Sequence, residues 1–69
     1  IISHDCILQD HCHVAPGAVL AGAIDVGDGS VIGMGATVYL GLSIGKDAMI
    51  FNGMNVFKDI PEGKIVDSN

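Results

Sequence analysis

An apolar residue stands at every sixth position of this chain without a break: Ile2, Leu8, Val14, Leu20, Val26, Ile32, Val38, Ile44, Ile50 and Val56. A period of six matches neither the 3.6-residue period of an amphipathic helix nor the two-residue alternation of a half-buried strand. It matches a hexapeptide solenoid, in which three short strands and three corners make one triangular coil. The expected fold is therefore all-β, a parallel β-helix of about four coils with little or no α-helix.

The other slots of the repeat agree. Four places after each large aliphatic come Cys6, Cys12, Ala18, Ile24, Ser30, Ala36, Leu42, Ala48, Met54 and Ile60, mostly small, as a tight triangular interior requires. Each strand then reads as three residues: a small inward one, an outward one and an inward aliphatic. The remaining three turn the corner. The last corner slot holds Asp5, His11, Gly17, Ala23, Gly29, Gly35, Gly41, Asp47, Gly53 and Asp59. Glycine dominates there because it reaches positive φ without steric cost, and aspartate tolerates it better than most residues. The G-x-G strings at Gly27 and Gly33 are corners, not dinucleotide loops, since no long strand and helix flank them. Cys6 and Cys12 occupy the small inward slot and read as core fillers, not as a disulfide.

Three hexads close one coil, so residues 18 apart stack at about 4.8 Å, the spacing of hydrogen-bonded strands. The outward slots then form three columns: Ile1, Val19, Thr37 and Asn55; Ile7, Asp25 and Ser43; His13, Val31 and Met49. The first and third carry apolar residues outward on a chain whose interior is already full. So small a domain buries little surface alone. The outward stripes point to contacts between copies, and a homotrimer is the natural closed assembly.

Charge excludes some functions. The formal net charge is −5, with three lysines (Lys46, Lys58, Lys64) and no arginine. A nucleic-acid partner needs a basic footprint that this chain lacks. No apolar run is long enough to cross a membrane, and no segment resembles an export signal, so a cytoplasmic location is expected. The sequence begins at Ile1, inside the repeat and without an initiator Met, which predicts a piece of a longer protein.

All three histidines lie in the first hexads: His4, His11 and His13. His4 is the middle residue of a corner, followed by Asp5, and Gly22 lies one coil later at the same corner. A histidine beside a backbone N–H suits acyl transfer: the imidazole takes a proton from an attacking amine or hydroxyl, and the N–H stabilises the oxyanion that develops. Asp5 would orient His4 and fix its tautomer. The bland alternative is a solvated corner histidine. His13 points outward beside Val31 and Met49, either as a packed interface histidine or as a site residue. In one copy His4 and His13 diverge across the triangle, and they meet only across a subunit interface. His11 fills a corner slot and reads as structural or exposed.

The strings His4-Asp5-Cys6 and His13-Val14-Ala15-Pro16-Gly17-Ala18-Val19-Leu20-Ala21-Gly22 resemble the sugar O-acyltransferases of the sialic acid O-acetyltransferase type. Relatives of that family N-acetylate UDP-linked amino sugars and perosamine. Val26-Gly27-Asp28, Ile32-Gly33-Met34-Gly35-Ala36, Ile44-Gly45 and Lys58-Asp59-Ile60-Pro61 also look like its C-terminal domain. The resemblance covers nearly the whole chain, and its most specific part is the H-[DE]-C element nine residues ahead of a second histidine. It implies a trimeric left-handed β-helix that transfers acetyl groups from acetyl-CoA to a sugar or nucleotide-sugar amine or hydroxyl. It implies that His4 is the general base and Asp5 its acidic assistant. It further implies that His13 contacts the cofactor, that the Gly22 N–H binds the thioester carbonyl, and that the pantetheine arm runs along Met34 and Asn52. Residues 1–69 would be the acyltransferase domain, with the family's N-terminal nucleotide-sugar-binding domain absent from this sequence, and activity of the domain alone is left open. The family's terminal V-G-x-P-A-K run is replaced by Ile65-Val66-Asp67-Ser68-Asn69.

Two other readings stay open on the residues. γ-Type carbonic anhydrases also form trimeric left-handed β-helices, with zinc held by histidines of two subunits. Their H-x4-H pair is missing here, and His11 and His13 are directed to a corner and to a face. A non-catalytic structural solenoid is the other; the conjunction of His4, Asp5 and Gly22 speaks against it.

Overall fold

The computed structural model describes residues 1–2 and 5–68. Their strands are β1 (Ile7–Leu8), β2 (His13–Val14), β3 (Val19–Leu20), β4 (Asp25–Val26), β5 (Val31–Ile32), β6 (Thr37–Val38), β7 (Ser43–Ile44), β8 (Met49–Ile50), β9 (Asn55–Val56) and β10 (Ile65–Val66). No helix occurs among the described residues. The strands are two residues long, one shorter than the expected three, because the small inward residue belongs to the turn and only the outward and aliphatic residues join the ladder.

Three parallel sheets face three ways, in the orders β1-β4-β7, β3-β6-β9 and β10-β8-β5-β2. This is a left-handed β-helix of about three turns with part of a fourth, slightly fewer than the four expected. Every pairing within the first two sheets joins residues 18 apart, such as Val26 with Ile44 and Val38 with Val56. Coil-to-coil bonds such as Gly27 N–H to the Ile44 carbonyl (2.7 Å) satisfy the backbone on the way.

The sixth-position aliphatics form the core. Leu20, Val26, Ile32, Val38, Ile44, Ile50 and Val56 are all buried, with Ala18, Ala36 and Ala48 between them. Ile2 and Leu8 occupy the same slot at the start of the described coils and are exposed. Cys6 and Cys12 pack against the core as free thiols.

The inward slot also does polar work. The Cys6 thiol donates to the Ala21 carbonyl (3.3 Å), Cys12 to Gly27 (3.0 Å), and the Ser30 hydroxyl to Gly45 (2.7 Å). Each acceptor lies 15 residues on, at the first corner position of the next coil, so one device recurs at three places.

The last coil departs from the strict period. Ile65 pairs with Met49, an offset of 16, whereas Met49 pairs with Val31, an offset of 18. The corner after Val56 has lost two residues. Ile60, assigned by period to the small inward slot, instead bridges Ile44 and takes the aliphatic place that strict counting gives to Glu62. Asp59 consequently leaves the positive-φ set. That set holds Asp5, His11, Ala23 and Asp47, together with Gly17, Gly29, Gly35, Gly41, Gly53 and Gly63. The Asp59 Oδ1 accepts the Ser43 N–H (2.9 Å) and closes the shortened corner through its side chain.

Candidate functional site

The corner that follows Leu20, Val38 and Val56 carries the residues with the strongest chemical case. His4 lies outside the described residues. Asp5 is exposed at φ 67°. The parallel bridge from Ile2 to Leu20 sets this corner in register with Ala21-Gly22-Ala23 one coil on. Ala23 repeats the turn at φ 62°. Gly22 is half-buried, and its carbonyl accepts the Gly41 N–H (3.0 Å). Its own N–H has no acceptor among the described residues.

Further along this corner lie Tyr39 and Phe57, 18 residues apart, with ring centroids 4.5 Å apart and planes at 29°. Leu40 beside them is 72% exposed and Phe57 66%. The sequence reading did not single out this aromatic ladder; the 18-residue spacing of Tyr39 and Phe57 was the available signal.

A second group gathers at the corner after Val14, Ile32 and Ile50. The Met34 N–H donates to Asn52 Oδ1 across one coil (2.8 Å), so these two expected cofactor residues touch directly. Gly33 makes the approach possible: a Cβ there would lie 2.5 Å from Asn52 Oδ1 and 2.7 Å from its backbone nitrogen. His13 stands exposed on β2, the strand that leads into this corner. Its column runs through Val31 and Met49 to Ile65, one apolar residue longer than the period indicated. Within one copy, therefore, Asp5 and Gly22 share one corner while His13, Met34 and Asn52 gather on another side.

His11 sits at neither place. At φ 61° it turns the remaining corner, and its Nδ1 lies 3.3 Å from Asp28 Oδ1, with both side chains well exposed. This fits the structural or solvent-facing reading. Among the described residues no three His, Cys, Asp or Glu side chains form a group that could hold a metal ion. No helix of the described residues is long and apolar enough to cross a membrane.

Six-residue slots, corners in 18-residue register and parallel two-residue strands define the class: a hexapeptide-repeat left-handed β-helix domain. A solved structure gives the class a particular likeness. The chain is similar to a histidine-to-asparagine mutant of perosamine N-acetyltransferase from Caulobacter crescentus, crystallised in complex with CoA and GDP-perosamine. The two are 38% identical with a TM-score of 0.87, over 88% of this chain and 29% of that one. The chain thus spans under a third of that protein's length. The likeness bears out the resemblance to hexapeptide-repeat sugar acyltransferases. No protein-family model matches the chain, and no curated protein matches it.

Proposed function

We propose that this chain is the catalytic β-helix of an acetyl-CoA-dependent acetyltransferase acting on a sugar or nucleotide-sugar amine. The observation that carries the reading is the match, over nearly the whole chain, to an enzyme that N-acetylates perosamine and whose structure holds both CoA and a nucleotide sugar. The Gly22 N–H, which has no backbone acceptor among the described residues, and its place at the same corner as Asp5 are consistent with this reading.

In this reading the acceptor amine attacks the thioester carbonyl carbon. His4 removes the proton from the attacking nitrogen, with Asp5 orienting its ring. The Gly22 N–H stabilises the oxyanion of the tetrahedral intermediate. Collapse breaks the C–S bond, and the departing CoA thiolate takes the proton back from His4. His13, Met34 and Asn52 hold the donor. Because these residues occupy different sides of one copy, the site is completed between copies, with His4 of one facing the His13 column of the next in a homotrimer.

The test is thiol release from acetyl-CoA with GDP-perosamine or UDP-linked amino sugars, using the protein that carries this domain, alongside calorimetric titration with acetyl-CoA. Donor binding with amine-dependent thiol release is expected. Absence of acetyl-CoA binding would overturn the reading.

A further inference from the structure

The corner between β8 and β9 carries an Asn-Gly pair, Asn52-Gly53, whose own covalent chemistry has no part in acetyl transfer. We propose that Asn52 is a site of spontaneous deamidation, and that a two-bond clasp to Met34 holds it shut in the folded coil. The inference does not depend on the acetyltransferase reading and stands or falls by its own test.

The chemistry follows from the dipeptide. Gly53 has no side chain to keep its backbone nitrogen away from the Asn52 carboxamide carbon, and asparagine is among the heat-labile residues. Both residues are exposed, so water and hydroxide reach them. The Gly53 nitrogen loses its proton to hydroxide and attacks Asn52 Cγ. A C–N bond forms, the Cγ–Nδ2 bond breaks, and Nδ2 leaves as ammonia with a proton from water. Water then opens the cyclic imide at either carbonyl, giving an aspartyl or an isoaspartyl residue. One water is consumed and one ammonia released, with no oxidant or cofactor. Asn55, the other described asparagine, precedes Val56, whose branched side chain crowds the corresponding nitrogen.

The fold holds both reacting groups on one residue of the preceding coil. The Gly53 N–H donates to the Met34 carbonyl (2.8 Å), and the Met34 N–H donates to Asn52 Oδ1 (2.8 Å). The nucleophile therefore keeps its proton, and the carboxamide is anchored instead of free to turn onto its own chain. The backbone half of the clasp recurs along the solenoid: Gly29 N–H to the Asp10 carbonyl (3.1 Å), Gly41 to Gly22 (3.0 Å) and Gly63 to Lys46 (2.9 Å). At Asn52 a side-chain bond is added to it, and Gly33 leaves the room, since a Cβ there would lie 2.5 Å from Asn52 Oδ1. Reaction then requires the two coils to part locally at this corner. The products differ in consequence. An aspartyl residue still offers Met34 an acceptor oxygen. An isoaspartyl residue adds a methylene to the main chain just ahead of β9, where the 18-residue register with β6 is set.

The protein that carries this domain is incubated in mildly alkaline buffer, native and unfolded in guanidinium chloride. Tryptic mapping then follows residues 47–58, between Lys46 and Lys58, for the mass rise that comes with replacing an amide by a carboxylate. Conversion at Asn52 to both products is expected in the unfolded chain, and little in the native one over the same time. Asn52→Gln should remove the mass rise in denaturant. Gly33→Ala, which pushes Asn52 off Met34, should raise the native rate about five- to tenfold, the worth of one or two lost hydrogen bonds. Equal rates for native and unfolded wild type would overturn the clasp. An unfolded chain that does not convert, or converts only at Asn55, would overturn the site. A folded Gly33→Ala protein with the wild-type rate would overturn the side-chain bond's share. The wild-type comparison decides the claim even where Gly33→Ala does not fold.

Discussion

At the residue scale, the polar atoms in the inward slot decide more than their size suggests. Ser30 is fully buried and its hydroxyl answers the Gly45 carbonyl at 2.7 Å. Removing the hydroxyl leaves that carbonyl without its partner inside the core. Ser30→Ala is therefore expected to cost about 1–3 kcal/mol, read from the urea midpoint, although alanine fills this slot elsewhere. Ser30→Cys, which copies the donors at Cys6 and Cys12, should lose less. Equal stability of the alanine and wild-type chains would show that the bond contributes nothing net. The size preference of this slot was legible in the sequence. The repeated donation to a carbonyl 15 residues on was not, because it depends on how far a corner carbonyl leans into the triangle.

At the element scale, the shortened corner after Val56 gives a sharp contrast. Ile60 is 7% exposed and bridges Ile44, while Glu62 is exposed. Strict counting by six predicts the reverse importance at position 62. Ile60→Ala is expected to cost about 2–5 kcal/mol, as for other large-to-small core changes. Glu62→Ala should stay within about 0.5 kcal/mol. Chemical denaturation of both variants checks the register directly, and a larger loss at Glu62 would refute the two-residue skip. From Ile2 to Val56 the period alone specified which residues face inward, because a one-slot slip would expose every aliphatic. It failed from Phe57 onward, where a missing pair of residues leaves local composition almost unchanged and only pairing reveals the new register. The corners were legible for a similar reason. Gly17, Gly29, Gly35, Gly41 and Gly53 mark positive φ, and His11, Ala23 and Asp47 take the same turn by position.

At the scale of the whole molecule, the described residues of the proposed site, Asp5 and Gly22 on one side and Met34 and Asn52 on another, lie at separate corners of a coil that measures about 20 Å across. The column His13, Val31, Met49 and Ile65 presents a continuous, largely apolar strip on the face between the His11 corner and the Met34–Asn52 corner. Sedimentation at micromolar concentration should therefore give a threefold mass. Met49→Glu, placed at the middle of the strip, should shift it toward monomer by burying unpaired charge, whereas Lys46→Glu on an exposed corner should not. A monomeric wild-type protein would contradict the assembly and separate His4 from any His13 partner. The most direct measurement is turnover of His4→Ala in the enzyme that carries this domain, with acetyl-CoA affinity measured on the same sample. Turnover is expected to fall by roughly 10²–10⁴-fold, the usual worth of a positioned acid–base group, while donor affinity stays close to wild type. Turnover near the wild-type value would contradict it and remove this corner from the chemistry.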